Sequence, residues 1–274
     1  MKKEAEKIVA DFYNTIGWDA ENDITGDALK YEDLRKYAQE YVVKCRQRVN
    51  RYLPERGENL LDMASGPVQF PEYLDYSRNF TKRWCVDLSQ KALDKAKEKI
   101  GDHGVFLCGS FFDIDLPENF FDCSLSVHTI YHMDKNRQAE AVRKLIKVTR
   151  PGSPVVIVYS NPAAWGRYLY APVSLIKKGL RFFRKIIKSP AYTEELYFYA
   201  HPLKWWKQFR DEAEISMFPW RSFTNQQQKL FFPNNRVGRW MFSKLYQLEE
   251  KYPDFFVRHF QYPIVVLKKK KVPS

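Results

Sequence analysis

No uninterrupted apolar run in this chain approaches the ~20 residues that a membrane-spanning helix needs. Nor does the opening, Met1-Lys2-Lys3-Glu4-Ala5-Glu6, offer the apolar stretch of a secretory leader. A cytoplasmic location is the expectation. Cysteine is scarce: Cys45, Cys85, Cys108 and Cys123 form no CxxC pair and no metal-ligand spacing. No metal is expected, and the thiols read as reduced and buried in a core. Glycine is missing where a dinucleotide-binding loop demands it. That loop wants three glycines at fixed spacing, and here Ala64 and Val68 flank a single Gly66. A phosphate-cradling lysine loop is missing as well. These gaps point to a ligand without a pyrophosphate.

What is present is charge of one sign and aromatic bulk. Lys and Arg number 45 against 33 Asp and Glu, a net of +12. Such a surplus attracts anionic partners, whether nucleic acid, acidic lipid or phosphorylated small molecules, and does not choose among them. Aromatics make up 16% of the chain, with 17 Tyr and 20 Phe. They fit a large aromatic core as well as pocket walls or a membrane interface. At 274 residues and 45% hydrophobic, the chain fits one large α/β domain or one domain plus a cap.

Periodicity orders the chain. Ala5, Ile8, Val9, Phe12 and Tyr13 fall at helical spacing, as do apolar residues from Tyr31 to Tyr52, so residues 2–53 read as helices around a turn-rich stretch from Gly17 to Asp23. Strands are predicted at 58–62, 83–87, 104–109, 121–127 and 154–160, and helices near 70–76, 89–99 and 135–149, with Ser89 and Asp134 as caps. This alternation predicts a parallel sheet with right-handed crossovers. Val155-Val156-Ile157-Val158-Tyr159 reads as a central strand covered on both faces. Residues 213–220 and 262–268 read as two further strands, separated by an excursion with a helix near 236–250. Between the fifth and sixth strands, residues 164–188 hold seven Lys and Arg and no acid, while Val173, Ile176, Leu180, Phe183 and Ile187 recur at three- and four-residue steps. That is a basic amphipathic helix, suited to lie on an anionic membrane or to pack its apolar stripe on the domain.

Chemistry gathers at the strand ends. Asn59-Leu60-Leu61-Asp62-Met63-Ala64-Ser65-Gly66-Pro67 is an apolar run that ends in an acid and turns at once into small residues. It reads as a buried strand entering a tight loop that lets backbone approach a ligand. Asp87 closes the next strand, Arg83-Trp84-Cys85-Val86. Two acids at adjacent strand ends suit a ribose and an amino group.

Over roughly residues 55–161 the chain resembles the class I S-adenosylmethionine (SAM) dependent methyltransferases. Leu60 to Pro67 is similar to their first motif, Val86-Asp87-Leu88-Ser89 to their second, and Gly109-Ser110-Phe111-Phe112-Asp113 to their adenine loop. Phe121 to His132 resembles their fourth strand and the turn after it, and Val148-Thr149-Arg150-Pro151-Gly152 the turn into strand five. The departures are Val68 for a usual glycine and Ser110 for a usual acid. The resemblance implies a Rossmann-like, seven-stranded, mostly parallel sheet with an antiparallel last strand and helices on both faces. Residues 1–55 then form a helical lid, and residues 56–274 the methyltransferase domain, with the basic insert near 163–190. It implies SAM as cofactor. Asp62 would take the methionine end, Ala64, Ser65 and Gly66 the backbone approach, Asp87 and Leu88 the ribose, and Phe112 and Asp113 the adenine, with His128 alongside. Tyr13 and Trp18 are the candidates for lid contact with bound ligand.

On the acceptor side, His128, Tyr131 and His132 stand just past the fourth strand, where histidine suits proton abstraction near neutrality. His132 is the expected base, with Tyr131 or His128 positioning the acceptor; the alternative is that both histidines only shape the pocket. His201 and Arg221 are candidate acceptor-pocket residues, Arg221 as a clamp for phosphate or carboxylate. The expected function is methyl transfer to a small-molecule acceptor, a hydroxyl by preference, including a lipid-like or lipid-linked one at an anionic membrane. A nucleic-acid methyltransferase is the less favoured reading, since no recognition appendage is visible. A non-catalytic adaptor for membrane or protein is the third.

Overall fold

The computed structural model describes residues 20–21, 24–166 and 197–271. Tyr13, Trp18 and the whole basic stretch from Arg167 to Lys188 lie outside the described residues. The expected strands form a single seven-stranded sheet. They are β1 (Gly57–Met63), β2 (Phe80–Asp87), β3 (Gly104–Cys108), β4 (Cys123–Val127), β5 (Pro154–Val158), β6 (Ala213–Arg221) and β7 (Tyr262–Lys269), in the order β3-β2-β1-β4-β5-β7-β6. The first five run parallel, and β7 lies antiparallel to both β5 and β6. The strand order therefore reverses between β1 and β4, and a crevice opens beyond their carboxyl ends.

The core lies on both faces of the sheet. Leu61, Val155 and Ile157 point to one face with Trp206 and Phe209; Leu60, Val156 and Val158 point to the other with Tyr41, Val42, Trp220 and Phe242. Period-two alternation divides β5 between the two faces with no polar residue, as a doubly covered strand requires.

Helices α1 (Gly26–Tyr31) and α2 (Lys36–Gln47) precede the sheet, with Ala20–Glu21 and Ile24–Thr25 paired as a short antiparallel ribbon before them. The ribbon begins within the turn-rich stretch expected from Gly17 to Asp23, where no strand is predicted. After β1 come α3 (Pro71–Asp75), α4 (Gln90–Ile100) and α5 (Gln138–Val148). Later come α6 (Asn225–Phe231), α7 (Arg236–Lys251) and α8 (Pro253–His259). Ser89 caps α4 as expected, its hydroxyl accepting from the Ala92 N–H. Asp134 does not cap α5. Its carboxylate accepts from the Asn136 N–H in the turn before, and Arg137 stands at the cap position. Cys45, Cys85 and Cys123 are buried, but Cys108 is exposed, because β3 is an edge strand and Cys108 is its last residue.

Candidate functional site

A cavity of about 760 Å³ occupies the crevice, within the range of small-molecule sites. Its floor comes from Asp62, Met63 and Ala64 after β1, Asp87 and Leu88 after β2, Ser110 to Phe112 after β3, and Val127 to Thr129 after β4. The walls include Tyr31 and Glu32 from the end of α1, Phe70 and Tyr73 near α3, and Asn225 to Gln227 from α6.

The loop after β1 keeps a glycine-loop backbone on other residues. Ala64, Gly66 and Val68 all have positive φ, at 57°, 55° and 47°. The left-handed region costs a non-glycine residue roughly 1–2 kcal/mol. The loop holds because the Ala64 and Ser65 N–H groups donate to the Val86 carbonyl and the Gly66 N–H donates to Asp87 Oδ2. Ala64→Gly should relieve one of these strains. After the added chain entropy of glycine, a net gain of up to about 1 kcal/mol is expected, read as a rise of a few degrees in melting temperature.

Asp87 is held ready to accept. Its two oxygens take the Gly66 and Ser89 N–H groups, each at 2.9 Å. An ionised carboxylate has about four acceptor sites, so one per oxygen remains. Burial pushes its pKa up to about 6, against the opposing pull of those N–H groups. Asp62 is buried and paired. Arg83, on the neighbouring strand, donates Nε and Nη2 to Asp62 Oδ2 at 3.0 and 2.5 Å, and Nη1 to the Tyr73 carbonyl at 2.6 Å. Both of Arg83's bonds to Asp62 go to Oδ2, which leaves Oδ1 without a bond from Arg83.

Beyond β4 the backbone is strained again, with His128 at φ 60°. Its Nδ1 lies 2.8 Å from the Tyr131 hydroxyl, and its ring meets Trp220 edge-on at 4.4 Å. Nε2 is buried with no partner among the described residues. Burial, with Arg221 beside it, holds its pKa well below the ordinary histidine range. His132 Nδ1 lies 2.8 Å from the Tyr197 carbonyl. A carbonyl only accepts, so Nδ1 carries the proton and Nε2 keeps its lone pair. Burial pushes this ring's pKa down to about 4, so it is neutral at physiological pH.

Most of the sequence-predicted residues meet in this cavity: Asp62, Ala64, Ser65, Gly66, Asp87, Leu88, Phe112, His128, Tyr131, His132 and Arg221 all line it. Asp113 does not. Backbone bonds from Asp113 and Ile114 to the Ser110 carbonyl turn the chain there and leave Asp113 exposed. Lys144 fixes the turn by donating to the Phe111, Phe112 and Ile114 carbonyls. His201 also lies outside the lining; its ring stacks on Trp205 at 4.6 Å. Arg221 lines the cavity but is not a free clamp. Its Nη1 is paired with Glu32 at 2.7 Å, and Glu32 also faces Arg46.

Arg83, Glu32 and the start of α6 escaped the sequence reading. A charged residue inside the β2 strand run was the available signal for Arg83, since a buried arginine demands an acid. Thr224-Asn225-Gln226-Gln227 was the signal for α6: Thr224 Oγ1 accepts from the Gln227 N–H, and Gln227 Oε1 accepts from the Thr224 N–H, a reciprocal cap.

The cavity fits a nucleoside with an amino-acid end. Asp87 has acceptors for two sugar hydroxyls, Asp62 Oδ1 suits an ammonium, and the positive-φ loop brings backbone close. Among the described residues no cluster of His, Cys, Asp or Glu is placed to hold a metal ion.

Comparison with known proteins agrees. The sequence profile of the methyltransferase domain matches residues 61–157. A curated relative, an uncharacterized methyltransferase of Geobacillus sp. (strain WCH70), is 27% identical over 71 residues, covering 26% of this chain and 33% of that protein. The match thus spans about a third of that relative's length. Among solved structures, the DhpI–SAH complex aligns with a TM-score of 0.58 at 11% identity, over 99% of this chain and 100% of that one. A SAM-dependent methyltransferase from Archaeoglobus fulgidus aligns with a TM-score of 0.53 at 16% identity, over 84% of this chain and 94% of that one. At such identities the structural likenesses show a shared fold.

Proposed function

We propose that the chain is a class I SAM-dependent methyltransferase with S-adenosylmethionine as its cofactor, and that it methylates a hydroxyl on a small, flat, largely apolar acceptor. The observation that carries this reading is His132: a neutral imidazole on the cavity wall, its proton fixed on Nδ1 and its Nε2 lone pair available. Tyr131 and Phe198 pack against it, with Phe198 5.0 Å from the Tyr131 ring. Tyr31, Phe70, Tyr73 and Tyr262 extend the aromatic lining. Such walls favour an unsaturated acceptor over a charged one.

The bound cofactor supplies an electrophilic methyl on a sulfonium. Asp87 would hold the ribose hydroxyls, Asp62 with Arg83 the amino-acid end, and Phe112 and Ser110 the adenine side. Alignment of acceptor and methyl is then the main source of rate. A base whose conjugate acid lies near 4 takes the proton only as the acceptor oxygen gains positive charge, so the proton leaves late in the displacement. Tyr31 and Glu32 bring the N-terminal segment onto the cavity, which supports its reading as a lid.

His132→Gln is expected to lower kcat about 10²–10⁴-fold while leaving the affinity for S-adenosylhomocysteine unchanged. The test is turnover against a panel of phenols, aliphatic alcohols and amines, with calorimetry of the same protein. Full turnover in the variant would remove the base, and a preference for amines would remove the hydroxyl. Steep salt dependence with an RNA or DNA acceptor would instead favour the nucleic-acid reading.

A further inference from the structure

Helix α7 presents two apolar faces. One is buried: Gly238, Phe242, Leu245 and Glu249 face the domain. Phe242 stacks on Phe232 at 4.3 Å, and Glu249 accepts from the Tyr41 hydroxyl. The other face lies open. Val237 is 58% exposed, Trp240 60% and Leu248 45%, and Tyr252 and Phe255 continue the surface onto α8. Trp165, itself exposed, packs edge-on to Phe255 at 5.6 Å and widens it. Positions 237, 240, 241, 244, 248, 251 and 252 share one side of the helix by their three- and four-residue steps. Lys244 and Lys251 stand inside this stripe and Arg236 begins it, all three exposed.

The acids of these helices leave that charge unopposed. Glu249 is buried on Arg48, and Glu250 is paired with Arg48 and Arg51. Among the described residues only Asp254, at the start of α8, is an exposed acid of these helices without such a partner. The geometry points to this face as a docking surface for an anionic lipid bilayer, with α7 lying in the headgroup plane. Three features select lipid. Tryptophan and tyrosine suit a boundary that is apolar on one side and wet on the other. Lysines within an apolar stripe extend their stems along it and leave their charges at the headgroups. A second copy packed on this face would bring its own Arg236, Lys244 and Lys251 into the contact with no acid in the stripe to meet them, a concentration of like charge that anionic lipid avoids. The overall charge of +12 draws the protein toward the same surface. Among the described residues no helix is long and apolar enough to cross a membrane, so this contact is peripheral.

The test is co-sedimentation of the full chain with vesicles of phosphatidylcholine alone and with about a third phosphatidylglycerol. The unaltered protein is expected to bind the anionic vesicles and to leave them in high salt. Trp240→Glu/Leu248→Glu should weaken that binding about tenfold or more, and Lys244→Glu/Lys251→Glu by a similar factor. Both variants keep the buried face of α7, so melting temperature and S-adenosylhomocysteine affinity should not move. Equal binding by the unaltered chain and the first variant would overturn the assignment and pass vesicle adhesion to residues 167–188. No binding by the unaltered chain would overturn it too, as would a dimer in analytical ultracentrifugation that the first variant dissolves. None of these readouts depends on which acceptor is methylated.

Discussion

An Asp87→Asn protein is expected to bind S-adenosylhomocysteine about a hundredfold more weakly than the unaltered chain, while its melting temperature stays within a few degrees. Each hydroxyl bond to an ionised acceptor contributes roughly 1.5–3 kcal/mol. Asparagine offers one neutral oxygen and turns an N–H₂ toward donors. Acidification should mimic the substitution in the unaltered protein. Burial raises the Asp87 carboxyl to about 6, so affinity is flat above neutrality and falls roughly tenfold per unit below that value. Stability of the ligand-free protein moves the other way on account of this group. Its folded pKa lies above the ordinary carboxylate value near 4, so the fold binds a proton that the unfolded chain does not. That contribution is fully present below about 4 and is lost as pH rises through 6. Because His132 stays neutral down to about 4, kcat at saturating cofactor should be level between pH 8 and about 5, while kcat/KM for cofactor falls. Calorimetric titration across this range checks the first claim. A Kd for the variant equal to that of the unaltered chain would remove Asp87 from the cofactor cradle.

The second large effect is on stability. Arg83→Met leaves the Asp62 carboxylate buried without its partner; Arg83 is 1% and Asp62 3% exposed. Breaking a buried pair in this one-sided way costs roughly 3–5 kcal/mol. For a domain of this size that corresponds to a fall of about 10 °C in melting temperature. The double change Arg83→Met/Asp62→Leu should recover most of the loss, because both charges are gone, yet it should not recover cofactor binding. Scanning calorimetry on the two proteins decides it. A single variant as stable as the unaltered chain would mean that the Arg83–Asp62 pair contributes nothing to stability.

The sheet and half of the site are legible in the chain because they are local. The parallel strands are short, mostly apolar runs, and each acid proposed for the cofactor sits where its run stops, so position along the chain and position in the crevice coincide for Asp62 and Asp87. Asp113 shows where that coincidence fails. It follows Phe112 directly, but a turn onto the Ser110 carbonyl swings one side chain to the cavity and leaves the next in solvent. Arg83 is two residues out of register with Asp62, since Leu60 is its neighbour in the ladder. No spacing rule within one strand reveals a pair made across two. Glu32 and Arg221 stand 189 residues apart, and neither carries a pattern that points at the other. Ala64 shows a different limit: the absence of glycine hid a glycine-like loop, because the hydrogen bonds that hold Ala64, Ser65 and Gly66 come from β2 and its end.

The Glu32–Arg221 pair is one of several ties between the beginning and the end of the chain. Arg35 donates to the Gln228 and Phe232 carbonyls, Arg48 to the Trp220 carbonyl, and Tyr41 to Glu249. During synthesis the loop, both acids and both histidines leave the ribosome long before α6, α7 and the last strand. The cradle can therefore be outlined early, but its far wall arrives only once the residues from Arg221 to Gln227 have been made. A nascent chain stalled before residue 220 holds every group proposed for the cofactor and lacks the partners of Glu32, Arg35, Tyr41 and Arg48.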